Sequence, residues 1–139
     1  MTPTFLADLF KNQNYNPDNF FLVAGPCIVE NEDLVMGIAD KVSGICKRLE
    51  IPYVFKASYR KANRTSANSF TGLGDDIGLN LIKKVGTTFQ LPTTSDVHAA
   101  DECAIAADYI DILQIPAFLC RQTDLLVAAA ATNKIVNVK

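Results

Sequence analysis

From Phe20 onward, short apolar runs alternate with amphipathic stretches of helical period. "FFLVAGPC", Phe20 to Cys27, is an apolar run stopped by Gly25 and Pro26, the mark of a short buried strand. "NEDLVMGIADKVSGICKRLE" follows, with apolar residues at Leu34, Ile38, Val42, Ile45 and Leu49, acids at its start, and Lys47 and Arg48 at its end. That spacing predicts a helix whose charges suit its dipole. "YVFKASY" predicts a second strand, and a Gly/Ser/Asn loop runs through Gly74 to a helix over "DDIGLNLIKKVGTTF", with Asp75 as its expected cap. "QLPTTSDV" is a weaker strand, because Pro92 fits only near a strand start or at an edge. "AADECAIAA" as helix, "YIDILQIPA" as strand, "RQTDLLVAAAATN" as helix and "KIVNVK" as strand complete the pattern. Residues 1–19 form a polar, Asn-rich leader, and residues 20–139 carry the repeating units.

The order β-α-β-α-β-α-β-α-β fits either an open doubly wound sheet or part of a (β/α)8 barrel. A complete barrel takes about 250 residues, and four βα units plus a fifth strand in 139 residues are expected to be its N-terminal half. Side chains two apart share a strand face. One face then collects Val23, Gly25 and Cys27; Val54, Lys56 and Ser58; Thr94, Asp96 and His98; Ile110, Ile112 and Gln114; and Ile135, Asn137 and Lys139. Every strand ends in a polar or reactive group on that face. A barrel builds its active site from all its strand ends, whereas an open sheet concentrates its site at one crossover, so the pattern favours the barrel.

Composition narrows the function. The net charge is -2, which argues against a general nucleic-acid binder. No apolar run approaches the roughly 20 residues that span a bilayer, and the leader lacks the features of a signal peptide. Cys27, Cys46, Cys103 and Cys120 are widely spaced without a C-x-x-C pair, so reduced thiols and a cytoplasmic location are expected. Against this acidic background "FKASYRKANRTS" gathers Lys56, Arg60, Lys61 and Arg64. A pocket that sets Lys56, Lys61, Arg64 and Lys139 against the carboxylate of Asp96 suits anionic, oxygen-rich ligands such as sugar phosphates. No nucleotide-binding glycine motif follows any strand. Each residue also has a plainer reading. Lys61 and Arg64 can be solvated loop charges, His98 can satisfy a backbone carbonyl or cap a helix, and Cys27 can be a core thiol. Lys56 on an apolar strand resists such a reading, because a buried lysine needs a partner.

Five motifs in order, "AGPCIVEN", "IPYVFKASYRKANRTS", "TTSDVH", "LQIPAFLCRQTDL" and "VNVK", resemble the 3-deoxy-D-manno-octulosonate 8-phosphate synthase family from Phe20 to Lys139. The resemblance implies a (β/α)8 barrel, usually tetrameric, that condenses phosphoenolpyruvate with arabinose 5-phosphate on the route to the lipopolysaccharide sugar Kdo. It implies that Lys56, Ser58, Lys61 and Lys139 hold phosphoenolpyruvate, and that Asn63, Arg64 and Thr65 receive arabinose 5-phosphate, the last two near a neighbouring subunit. Thr65 stands where the family commonly has Ser. Asp96, His98 and Gln114 would line the sugar channel, and Ala117, Phe118 and Arg121 would shape the phosphate end and a subunit contact. Lys61, Asn63, Asp96 and Lys139 are the residues expected to serve the reaction itself. Cys27 resembles the metal-dependent branch, whose other ligands, a His, a Glu and an Asp, are expected beyond residue 139. A divalent Zn, Fe or Mn is therefore expected in the longer enzyme, while this chain alone is expected to hold no metal and to be inactive. Two other readings stay open: a related heptulosonate 7-phosphate synthase, and a non-catalytic half-barrel that binds a sugar phosphate or a partner protein.

Overall fold

A computed structural model of the chain describes residues 4–61 and 71–139. The strands are β1 (Leu22–Ala24), β2 (Tyr53–Lys56), β3 (Thr93–Asp96), β4 (Ile112–Ile115) and β5 (Ile135–Val138). The helices are α1 (Thr4–Leu9), α2 (Glu32–Leu49), α3 (Asp75–Phe89), α4 (Ala100–Ala107) and α5 (Thr123–Ala131), with a 3-10 turn over Ala117–Leu119. The strands pair in parallel in the order β1-β2-β3-β4-β5. A doubly wound sheet reverses direction at a switch point, whereas a barrel adds each strand beside the last. This sheet is one half of a (β/α)8 barrel.

Local chemistry starts and stops the helices where the pattern requires. Asn31 caps α2 by accepting the Leu34 N–H at 2.8 Å, and Glu32 and Asp33 occupy its first turn. Val35, Ala39, Ser43 and Cys46 form its buried stripe. Asp75 is not the cap of α3; that position is Gly74, and Asp75 is the first helical residue. Gly78 lets α3 close over Tyr59, since a Cβ there would lie 2.8 Å from the Tyr59 Cβ.

The central strands β2, β3 and β4 are buried on both faces, and the edge strands β1 and β5 are half-buried. On the helix side, Tyr53, Phe55, Ala57, Leu113 and Ile115 pack against Val35 of α2, Leu79, Ile82 and Val85 of α3, Cys103 of α4 and Leu125 of α5. Ile110 belongs to this layer as well, because it precedes β4 and does not share that strand's alternation. The other face carries Val23, Val54, Ile112 and Ile135, and the leader covers it: Phe10, 1% exposed, joins them with Leu6, Leu9 and Tyr15. The Phe10 ring stacks on Tyr15 at 5.3 Å. Gln13 fastens the leader to β2, its amide donating to the Tyr53 carbonyl at 2.9 Å and accepting the Tyr53 N–H at 2.7 Å. The leader is thus an integral layer, which its polar composition conceals.

The amino-terminal strand ends with a break in register. Ala24 pairs with Phe55 and Ile28 with Ser58, so β1 takes four steps where β2 takes three. The extra residue is a bulge over Gly25-Pro26-Cys27, and the two-residue alternation does not carry through to Cys27. Gly25 is required there by close approach, since a Cβ would sit 1.8 Å from the Lys56 carbonyl oxygen. Among the described residues no helix is long and apolar enough to cross a membrane.

Two substitutions test this arrangement. Gly25→Ala must push β1 away from β2 and is expected to cost at least about 3 kcal/mol, the upper end for inserting a methyl into packed structure, read by urea denaturation. Phe10→Ala is expected to cost about 3–5 kcal/mol. An unchanged denaturation midpoint for Phe10→Ala would show that the leader does not cover the sheet.

Candidate active site

The carboxyl ends of β2 to β5 converge on Asp96, the last residue of β3. Its carboxylate is 12% exposed and accepts the Ser58 hydroxyl at 2.8 Å and the Gln114 amide at 2.6 Å. Lys56 Nζ lies 3.5 Å from the same carboxylate. An ionised carboxylate only accepts, so Gln114 must turn its NH2 to Asp96 and its carbonyl oxygen to Asn137, whose amide donates to it at 3.0 Å. At the other end Lys61 Nζ donates to the Ser58 oxygen at 3.0 Å. That donation leaves the single Ser58 proton for Asp96. The result is one directed chain, Lys61 to Ser58 to Asp96, joined on its far side by Gln114 and Asn137, that ties four strands together.

The alternation of strand side chains explains the convergence. Lys56 of β2, Asp96 of β3, Gln114 of β4 and Asn137 of β5 sit at or near matching register positions: Lys56 is level with Thr94, Asp96 with Gln114, and Gln114 with Asn137. Burial pushes the Asp96 carboxyl up, but the Gln114 hydrogen bond, the Lys56 charge, the Ser58 hydrogen bond and the Lys61 charge outweigh it. Its pKa lies below the ordinary carboxylate value, so Asp96 is a fixed anion at neutral pH. It neutralises only one of the two lysines. Lys56 is 25% exposed along its side chain, within reach of solvent and of an anion.

The other expected residues that the structure describes make no side-chain hydrogen bond to this chain of groups. Cys27 is an exposed free thiol after β1. Lys139 follows β5, anchored by its backbone N–H to the Ile115 carbonyl at 3.1 Å. Ala117 and Phe118 lie in the 3-10 turn after β4, Phe118 being 56% exposed, and Arg121 is exposed after it. Asn63, Arg64 and Thr65 lie outside the described residues. A hydrogen bond from the Lys61 N–H to the Thr71 carbonyl, at 2.9 Å, joins the residues on either side of that segment. His98 sits one step beyond Val97 after β3 and packs edge-on to Tyr59, with ring centroids 6.4 Å apart. Burial lowers the His98 pKa first of all; Asp96 and Asp75 oppose this, while Arg60 and Lys61 add to it. The imidazole is neutral at pH 7.

Asn137 is a site residue that the sequence reading placed on the correct face without giving it a role. Tyr59, Arg60 and Glu102 form a second cluster that it missed. The signal for Glu102 is its place three residues after Ala99, where a glutamate can reach back to backbone N–H groups at a helix start. Among the described residues no group of three His, Cys, Asp or Glu side chains could hold a metal ion. Cys27 carries an exposed thiol, and the described residues gather no further metal-ligating groups into a site with it.

Residues 11–139 match the model of the DAHP synthetase I family. The chain is 56% identical over 129 residues to a protein of Koribacter versatilis named 2-dehydro-3-deoxyphosphooctonate aldolase, covering 93% of this chain and 46% of that protein. Proteins of the same name from Cyanothece sp. and Rickettsia felis are 50% and 52% identical, each over 120 residues, covering 86% of this chain and 44% of theirs. The chain therefore spans about half the length of the curated relatives it matches.

Both perturbed groups make folding depend on pH in the same direction. His98 has a depressed folded pKa, so the unfolded chain takes up its proton first, and stability falls as pH drops below the ordinary histidine value. Asp96 is also depressed, so its contribution is present above the ordinary carboxylate value and is lost as pH falls through its lower folded value. Urea midpoints measured from pH 7 to pH 3 are expected to decline in two stages. His98→Gln should remove the upper stage and Asp96→Asn the lower.

Proposed function

The chain belongs to the DAHP synthetase I family, and we propose that it supplies half of the active-site barrel of an enzyme that condenses phosphoenolpyruvate with arabinose 5-phosphate to give 3-deoxy-D-manno-octulosonate 8-phosphate and phosphate. The observation that carries this reading is the chain from Lys61 through Ser58 and Asp96 to Gln114 and Asn137, with Lys56 beside it, at consecutive strand ends. It is a rigid polar floor with cationic excess, suited to a small substrate that bears both a carboxylate and a phosphate.

In this reading Lys56, Ser58, Lys61 and Lys139 bind phosphoenolpyruvate. Asn63, Arg64 and Thr65 bind the sugar phosphate, with Asp96, His98 and Gln114 along its channel. Ala117, Phe118 and Arg121 shape the phosphate end and a subunit contact. The cations offset the repulsion between two anionic substrates and hold carbon 3 of phosphoenolpyruvate against the aldehyde carbon. A bond forms between those carbons and the aldehyde oxygen takes a proton; water adds at carbon 2, and the bond from carbon 2 to the phosphate oxygen breaks. Asp96 keeps Lys56 and Ser58 aimed without rearrangement as charge develops. A divalent metal, when bound, would polarise the aldehyde or a water, and Cys27 would be one of its ligands, the rest coming from outside this chain. A cytoplasmic homotetramer is part of the same proposal.

The test is phosphate release by the protein that contains this chain together with the rest of the barrel. Arabinose 5-phosphate and phosphoenolpyruvate together are expected to release phosphate, with erythrose 4-phosphate a poor substitute. Preference for erythrose 4-phosphate would move the enzyme to heptulosonate synthesis, and no release with either sugar would overturn the proposal. Lys56→Ala is expected to lower kcat/KM by roughly 10²–10³-fold, the usual cost of losing one charge-stabilising donor. A chelator is expected to abolish turnover and Zn, Fe or Mn to restore it, but not in Cys27→Ala.

A further inference from the structure

Beside the Asp96 chain lies a second buried carboxylate that it does not use. The Glu102 side chain, 11% exposed, accepts the Tyr59 hydroxyl at 2.6 Å, the His98 backbone N–H at 2.9 Å, and a hydrogen bond from the Arg60 guanidinium. Arg60 also pairs with Asp75 at 3.2 Å, the first residue of α3. Glu102 on α4 is thereby fixed from β2's extension and from the start of α3. Burial raises the Tyr59 pKa strongly, which keeps its hydroxyl protonated and donating.

One atom in this cluster lacks a partner. His98 Nδ1 is sealed from solvent with no hydrogen bond, in a side chain 8% exposed, and a Glu102 carboxylate oxygen lies 3.4 Å away. A buried ring nitrogen without a partner is costly. Oε2 of that carboxylate accepts the Tyr59 hydroxyl and the His98 N–H, Oε1 accepts Arg60, and Oε2 is also the oxygen that faces Nδ1. If Nδ1 carried its lone pair, that pair would face a carboxylate oxygen. If it carries the proton, the N–H faces an anionic oxygen, the favourable arrangement.

We propose that Glu102, anchored by Tyr59 and Arg60, is a positioning residue that holds His98 as the neutral Nδ1–H tautomer, so that Nε2 is a hydrogen-bond acceptor for a substrate hydroxyl or a water. The two nitrogens of an imidazole ring diverge, so Nε2 points away from Glu102. The charged groups that act on the ring are Asp96 of β3, Arg60 and Lys61 after β2, Asp75 of α3 and Glu102 of α4. A hydroxylated sugar offers what such an acceptor binds, and this part of the inference rests on the function proposed above.

The chain contains a single histidine, so one imidazole answers the question. Nitrogen-15 spectra at neutral pH are expected to give a pyrrole-type signal at Nδ1 and a pyridine-type signal at Nε2. In the longer protein the same signals are identified by their loss in His98→Asn. Glu102→Gln keeps an acceptor oxygen and is expected to retain the pattern. Glu102→Ala is expected to shift the tautomer ratio toward Nε2–H by roughly tenfold or more, as for loss of a hydrogen bond to a charged group. An Nε2–H tautomer in the unsubstituted protein overturns the inference, whether or not Glu102→Ala folds. So does a ratio that a folded Glu102→Ala leaves unchanged. In the longer protein, Glu102→Ala should lower kcat and Glu102→Gln should recover most of it; equal turnover in all three removes the positioning role. Absence of turnover in the unsubstituted protein fails the proposed function instead, and the tautomer result stands by itself.

Discussion

A carboxylate held in a largely buried position by three side chains on two neighbouring strands sets the terms for everything at the carboxyl edge of this sheet. Asp96 can remain ionised only because Ser58, Gln114 and Lys56 replace the water it gives up. Those partners must then stand at fixed heights on β2 and β4, and Asn137 on β5 must complete the amide of Gln114. The polar floor is therefore coupled to strand register. A slip of one residue in any of these strands would turn its polar end into the helix layer and strand the charge without partners.

The same coupling explains why both faces of the sheet are covered. A parallel sheet with one apolar face toward water would be unstable. Helices α2 to α5 cover the outer face, and the inner face divides along its length. At the amino ends of the strands Val23, Val54, Ile112 and Ile135 meet Phe10 and its neighbours from the leader. At the carboxyl ends the side chains become polar and interlock. The leader closes the dry end and leaves the polar end available for chemistry, as in a barrel whose interior is packed and whose strand ends carry the site.

Much of this was legible from residue order. The five strands, the four crossover helices and the shared face of Lys56, Ser58, Asp96, Gln114 and Asn137 all follow from period-2 and period-3.6 alternation, because each is a local geometric rule. The leader was not legible, since a six-residue helix, a single phenylalanine and a glutamine do not differ from an ordinary polar loop until the sheet exists beneath them. The bulge before Cys27 was hidden for a similar reason. Alternation assumes an unbroken strand, and Gly25 breaks it through an approach to the Lys56 carbonyl, a residue 31 positions away.

The half-barrel and the polar strand ends are written in spacing along the chain, while the family is read from the resemblance of five ordered motifs. Only the tertiary structure decided how the charges are matched. Lys56, far from being a puzzle on an apolar strand, is the partner of Asp96, and Arg60 belongs to Glu102 and Asp75. Ion pairing depends on distances of a few ångströms between residues 15 to 42 positions apart, and no local periodicity encodes those. His98 shows the division most plainly. Its place after β3 is fixed by the strand, while its buried Nδ1 and the carboxylate beside it exist only once α4 has packed against the sheet.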